Sequence, residues 1–423
     1  MKNLRTKAAS TMILLSGAIA LGADAQTEKI INELAECIEQ NYVFPDLGGK
    51  ASQMLKTNLE NGKYDDQDRE DLASHLSQDL RSLTHDLHFG VRALPEDWQA
   101  PSNDEDTQLL PPPRAPYGFI GVERLGGNIG YINLRGFNQL DTVGETVEAV
   151  MQLVQGSNAV IFDLRQNGGG HPGTVQLISS YLFDPSEPVH LNSLYSRPDD
   201  ETTEYWTHDD INTALAMPDV PVYVLTSQRT FSAAEEFTYN LKNLDRATIV
   251  GQTTGGGAHP VDSFVFDDIL MAIIPTARAI NPITGTNWEG AGVSPDIEVD
   301  SGDALDTAIA DALQVAYHNG DESVRWGLAS INARLHPVTF TNEQLDEYAG
   351  DYTQRHIRVN GHGLEYRRDG VSSWTPLLGF EKDQFVLDGF EGFILEFTRD
   401  DSGSINGITG RYEQGHSDRS PRT

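Results

Sequence analysis

The chain has 423 residues, 38% of them hydrophobic, with 63 acids against 30 bases and a formal net charge of −33. That excess of negative charge repels nucleic acid and anionic membrane surfaces, which excludes both as partners, while the length predicts two or three domains with a sizeable core. The single cysteine, Cys37, has no partner for an internal disulfide, and its neighbours Leu34, Ala35 and Ile38 mark it as a small buried hydrophobe.

The N-terminus carries Lys2, Arg5 and Lys7, then an apolar run from Ala8 to Leu21, then Ala23-Asp24-Ala25. This pattern predicts a signal peptide over residues 1–25, cleaved after Ala25, and export to the periplasm or beyond the cell. The run is too short to span a bilayer comfortably, and no later stretch reaches span length. Residues 26–94 predict a helical domain of three amphipathic helices. Ile31, Leu34, Ala35 and Ile38 form the first stripe, Ala51, Met54, Leu55 and Leu59 the second, and Leu72, Leu76, Leu80 and Leu83 the third. It ends in Thr84-His85-Asp86-Leu87-His88-Phe89-Gly90-Val91. A Pro-rich linker over 95–118 resists helix and sheet.

From Phe119 the texture becomes α/β, and a core over 119–320 is predicted. Ile129 to Leu134 reads as a strand, Val143 to Val154 as a helix, and Ala159 to Leu164 as a strand buried on both faces. Val175, Ile178 and Leu182 mark a further helix. Ala247 to Gly251 is a strand, Ser263–Phe266 and Leu270–Ile274 a hairpin turning at Asp267-Asp268, and Asn281 to Pro295 a loop. A helix from Asp303 to Val315 closes the core. Short alternating stretches separated by Gly and Asp predict an antiparallel β domain over 335–415.

The stretch with chemical promise is Pro221 to Glu236, PVYVLTSQRTFSAAEE. It reads as a buried strand, a tight turn and a helix opening at Ser232, where unpaired amides can face a developing oxyanion. On this stretch alone Ser232 also reads as a plain helix cap, and Glu235 and Glu236 as acids favoured in a first helical turn. Gly168-Gly169-Gly170 and Gly255-Gly256-Gly257 make two glycine turns, where a missing Cβ lets backbone approach closely. Neither fits a phosphate loop. His85, His88, His171 and His259 are the candidate bases. His85 and His88 at i and i+3 lack a third ligand in sequence, so no metal is expected, nor any cofactor.

Four segments in order resemble the tail-specific, or C-terminal processing, serine peptidases, including the tricorn core and the repeats of interphotoreceptor retinoid-binding protein. They are DLHFGV (Asp86–Val91), VIFDLRQNGGG (Val160–Gly170), TSQRTFSAAEEF (Thr226–Phe237) with VGQTTGGG (Val250–Gly257), and WEGAGVSPDIEV (Trp288–Val299). The resemblance implies a crotonase-like fold of strand–strand–helix units and a serine peptidase. It implies Ser232 as nucleophile, Ala233 with Gly169 or Gly170 as oxyanion donors, His88 as base and Glu289 as its assistant. One branch of the family uses a lysine in the glycine turn after the nucleophile helix; Gly257 stands there. The tricorn pattern has a serine before its histidine, where this chain has Leu87. Thr84 or a water is the replacement considered for the missing link. Gly256, Gly257 and His259 are expected to line the substrate groove, with His259 the alternative base. The PDZ domain of many relatives has no room between linker and core, so short or unfolded peptides are the expected substrates. A non-catalytic module for apolar ligands and a hydrolase of other esters or amides are the rival readings.

Overall fold

A computed structural model of the chain describes residues 14–15, 23–99 and 118–423. Most of the predicted signal peptide, and residues 100–117 of the predicted linker, lie outside the described residues. The three helices are Ala23–Asn41, Pro45–Glu60 and Arg69–Thr84. Pro45 opens the second, where its missing N–H costs nothing. Asp68 caps the third by accepting from Asp71 N–H at 2.8 Å. That helix ends on His85 in the left-handed region, φ 58°. The reversal sends Asp86-Leu87-His88 away from the bundle and into a strand, Gly90–Ala93.

This strand pairs antiparallel with Leu270–Pro275, which pairs antiparallel with Val261–Phe266. One hydrophobic cluster joins the two parts: Leu34, Leu76 and Phe89 pack with Phe264, Phe266 and Ala272. The helical segment therefore shares its core with a hairpin from far along the chain, and this fixes where His88 arrives.

The central sheet has six strands in the order Ile297–Glu298, Ala247–Gly251, Val222–Thr226, Ala159–Asp163, Ile129–Leu134, Phe119–Leu125. All neighbours are parallel except the last pair. The two middle strands, AVIFD and VYVLT, are buried throughout because helices cover both faces. Val143, Val147, Val175, Ile178, Phe237 and Leu241 from three helices pack on one face. Ala304, Ala308 and Leu313 of the helix Ala304–His318 pack on the other. Asp163 lies opposite Leu225, so the turns that follow the two middle strands leave the same edge of the sheet. In open parallel sheets, sites form at that edge.

The C-terminal part is an antiparallel sheet of eight strands from Gly350 to Pro421, each paired with its sequence neighbour. A hairpin and a helix are among the elements that escape the sequence pattern. The hairpin His190–Ser196 and Glu201–Trp206 has one strand that is polar and mostly exposed, so no alternation announces it. The helix Arg325–Leu335 is wedged between the core and the C-terminal sheet. Ile331 faces one cluster and Ala329 and Ala333 another, so small residues on two sides replace a single stripe. Among the described residues no helix is long and apolar enough to cross a membrane.

Candidate active site

Ser232 stands where strand Val222–Thr226 and its turn give way to the helix Ala233–Asn243. Its backbone, φ 56° and ψ −125°, is one that a residue with a Cβ rarely adopts. Such strain is held only by surroundings that over-determine it. Thr230 Oγ1 donates to Leu164 O at 2.8 Å, Ser227 Oγ to Arg165 O at 2.5 Å, and Phe231 N–H to Asn167 O at 3.0 Å. The turn that carries Ser232 is thereby stitched to the turn after the neighbouring strand.

Gly169 shows how closely the two turns meet. A Cβ built there lies 2.7 Å from Ser232 Cβ and 3.0 Å from Ala233 N. The amides of Ala233 and Gly170 make no hydrogen bond among the described residues, whereas Gly169 N–H donates to Asn167 Oδ1 at 2.9 Å. Of the two glycines expected to hold an oxyanion, Gly169 has its donor already engaged, and Gly170 has the open one. Asn167 escaped the sequence reading because a buried asparagine in a glycine turn looks like ordinary turn chemistry.

Glu235 is fully buried and ties the second glycine turn to the nucleophile. Its carboxylate accepts from Ser232 N–H (2.9 Å), Gly256 N–H (2.6 Å), Gly257 N–H (2.8 Å) and Thr254 Oγ1 (2.5 Å). Burial pushes its pKa up, and these four donors pull it back. The expectation that Glu235 is a plain helix-start acid is corrected here: it is the clasp of the site. Gly256 and Gly257 are buried with their amides turned inward on that clasp, and His259 is 3% exposed.

His88 packs its ring against Phe231, next to Ser232, with centroids 4.6 Å apart. Gly257 makes room for it, since a Cβ there would lie 2.5 Å from His88 Cε1. Both ring nitrogens of His88 are buried and make no hydrogen bond among the described residues. Burial pushes its pKa down to about 4, against the pull of nearby Asp86, so the ring is neutral at pH 7.

Behind His88 lies a polar cluster. His259 Nδ1 is 2.6 Å from Asp86 Oδ2 and 3.4 Å from Glu289 Oε2. Asp86 Oδ1 accepts His88 N–H at 3.0 Å and lies 3.8 Å from His88 Nδ1. Glu289 also accepts Ala258 N–H at 2.6 Å, and burial raises its pKa to about 7, against the pull of the nearby His259. The polar path between Glu289 and His88 thus runs through His259 and Asp86. Leu87 is half exposed and stands outside it, and Thr84 Oγ1 instead accepts Asp86 N–H at 3.2 Å. Asp86 is the residue that sequence reasoning missed; as the first letter of DLHFGV it looked like a turn residue. His85 is exposed at its helix end, and His171 caps the helix Pro172–Ser180 by accepting Gly173 N–H, so neither joins the site.

A strained serine at a strand-to-helix corner, open amides, and a buried neutral imidazole packed on the neighbouring Phe231 make an arrangement on an α/β core that suits nucleophilic catalysis. Residues 128–299 match the model of peptidase family S41, and residues 19–118 match the model described as the N-terminal domain of Peptidase S41 in eukaryotic IRBP. The chain belongs to peptidase family S41. It is similar to a probable CtpA-like serine protease of Staphylococcus epidermidis, 24% identical over 62% of this chain and 53% of the relative. A probable CtpA-like serine protease of Staphylococcus aureus is 27% identical over 60% of this chain and 50% of the relative. The chain spans about half the length of the curated relatives it matches. Among solved structures, a putative peptidase from Parabacteroides merdae aligns with a TM-score of 0.49 at 18% identity, covering 69% of this chain and 98% of that one. The tricorn protease aligns with a TM-score of 0.46 at 15% identity, covering 71% of this chain and 37% of that one.

Proposed function

We propose that this protein is an exported serine peptidase that hydrolyses short or unfolded peptides by acyl transfer through Ser232. The observation that carries this reading is the strained Ser232 backbone beside two unpaired amides, Ala233 and Gly170. Ser232 Oγ attacks the scissile carbonyl, the two amides hold the oxyanion, and His88 takes the proton and returns it to the leaving amine. A neutral imidazole is what a base requires at pH 7. Asp86, which Glu289 backs through His259, is the carboxylate that favours the His88 imidazolium once it forms. The two family matches stop at 118 and resume at 128, which supports a site without an inserted PDZ domain. The basic start and apolar run before Leu21 support export.

A second assignment of the base draws on one observation: His259 Nδ1 is held by Asp86 at 2.6 Å, the way a carboxylate orients a catalytic imidazole. The deciding experiment measures cleavage of a fluorogenic peptide library and of an ester panel by the wild type, Ser232→Ala, His88→Ala and His259→Gln. Peptide turnover lost in Ser232→Ala and His88→Ala supports the proposal. Retention in His88→Ala with loss in His259→Gln moves the base to His259. Ester turnover alone, or apolar-ligand binding with no turnover, refutes the peptidase reading.

A further inference from the structure

Asp86, His259 and Glu289 each present a ligand atom within 4.8 Å of the others. Asp86 is 1% and His259 3% exposed, so the cluster is not a solvated acidic patch. A second, independent observation points the same way. His88 is nine-tenths buried, both its ring nitrogens lack a hydrogen-bond partner among the described residues, and its Nδ1 stands 3.8 Å from Asp86 Oδ1. A buried imidazole with two unsatisfied nitrogens is costly unless something else engages it. Glu289 Oε1 is likewise buried without a partner. The four side chains come from two distant parts of the chain, which is why spacing along the sequence shows no third ligand for His88.

We propose that Asp86, His259 and Glu289 form a site for a zinc-type divalent ion, into which His88 turns as a fourth ligand, and that the filled site holds His88 away from Ser232 and silences the enzyme. Two imidazole nitrogens and two carboxylates make a four-coordinate N/O set of the kind Zn2+ takes. Two carboxylates also balance the ion's charge in a buried place. Calcium and magnesium want six or more oxygens and are not served by this set. Ligands at about 2.0–2.2 Å from a tetrahedral ion lie about 3.4 Å from one another. The His259–Glu289 separation of 3.4 Å has that value already, and His88 Nδ1 stands 3.8 Å from Oδ1 of Asp86, the oxygen that faces away from His259. The 2.6 Å His259–Asp86 contact has to open by a turn of one carboxylate, and the His88 ring has to turn toward the cluster. The inhibitory consequence rests on His88 being the base proposed above; the binding itself does not.

The test separates the two. Zn2+ is titrated into full-length Ser232→Ala protein stripped with chelator, by calorimetry, and Co2+ is added to the same protein for visible absorption. One ion per chain with a tetrahedral cobalt spectrum is expected. Glu289→Gln and His259→Gln, each checked for an unchanged circular-dichroism spectrum, should weaken binding by more than about tenfold. His356→Ala, which removes an exposed histidine held between Asp351 and Asp369, should leave it unchanged. No binding, or binding indifferent to Glu289→Gln and His259→Gln, overturns the proposal. In the wild type, Zn2+ should stop turnover and chelator should restore it. Binding without inhibition would overturn the silencing role, since both candidate bases, His88 and His259, stand at the site.

Discussion

Replacing Glu235 with glutamine tests whether a single carboxylate holds the two glycine-bearing turns together. Oε2 accepts from Ser232 N–H and Gly257 N–H, and Oε1 from Gly256 N–H and Thr254 Oγ1. In Glu235→Gln one oxygen becomes an NH2 group. The less harmful orientation keeps the oxygen on Ser232 and Gly257 and turns the NH2 toward Gly256 and Thr254. The threonine hydroxyl can rotate to accept, but Gly256 N–H cannot. It is left as a buried donor facing another donor across what was a 2.6 Å bond. An orphaned buried donor costs about 1–3 kcal/mol, and relief of the repulsion requires the glycine turn to shift. Losing a buried charge offsets part of this. A net loss of about 2 kcal/mol is expected, a large share of the stability of an ordinary domain. Urea unfolding of Glu235→Gln against its parent, both in a Ser232→Ala background to prevent self-cleavage, gives the number. A loss below about 0.5 kcal/mol with unchanged slope refutes the clasp. In the active background, the shifted turn should lower kcat more than it raises KM.

Other outcomes follow from the same geometry. Ser232→Gly should abolish turnover yet stabilise the fold by up to about 1 kcal/mol in urea unfolding. Relief of a backbone held at φ 56° outweighs the added freedom of the unfolded chain. Gly257→Ala should lower kcat by more than about tenfold with little change in KM, because the new Cβ meets Phe231 Cζ at 2.2 Å and His88 Cε1 at 2.5 Å. The profile of kcat/KM for the free enzyme should fall on the acid side near pH 4, where buried His88 protonates, and not near 6.5. Glu289 has a folded pKa of about 7, above its unfolded value. It therefore contributes stability that is fully present below about pH 4.5 and lost as pH rises through 7. Glu289→Gln should flatten the stability profile between those values, as read by thermal melts across pH.

The amphipathic helices 26–94, the buried strands AVIFD and VYVLT and the C-terminal antiparallel sheet were legible because each depends on local periodicity and on turn residues placed between apolar runs. The serine corner was legible for the same reason: its alphabet changes from strand-forming to helix-forming between Thr226 and Ala233. What stayed hidden depends on packing between distant segments. Asp86 meets His259 across 173 positions of sequence. Glu235 reads as a first-turn acid until the glycine turn folds onto it. The engaged amide of Gly169 depends on the side chain of Asn167, which no spacing rule reports. The helix Arg325–Leu335 has small residues on two buried sides, so the single stripe that marks a surface helix is missing.

The most direct measurement is intact-protein mass spectrometry after reaction with a fluorophosphonate, run on the wild type, Ser232→Ala and His88→Ala. One phosphonyl group on the wild type, mapped to Ser232, none on Ser232→Ala, and labelling slowed by at least about a hundredfold in His88→Ala is the expected result. A wild type that takes up no label, or label that persists in Ser232→Ala, contradicts a serine activated by a buried neutral imidazole.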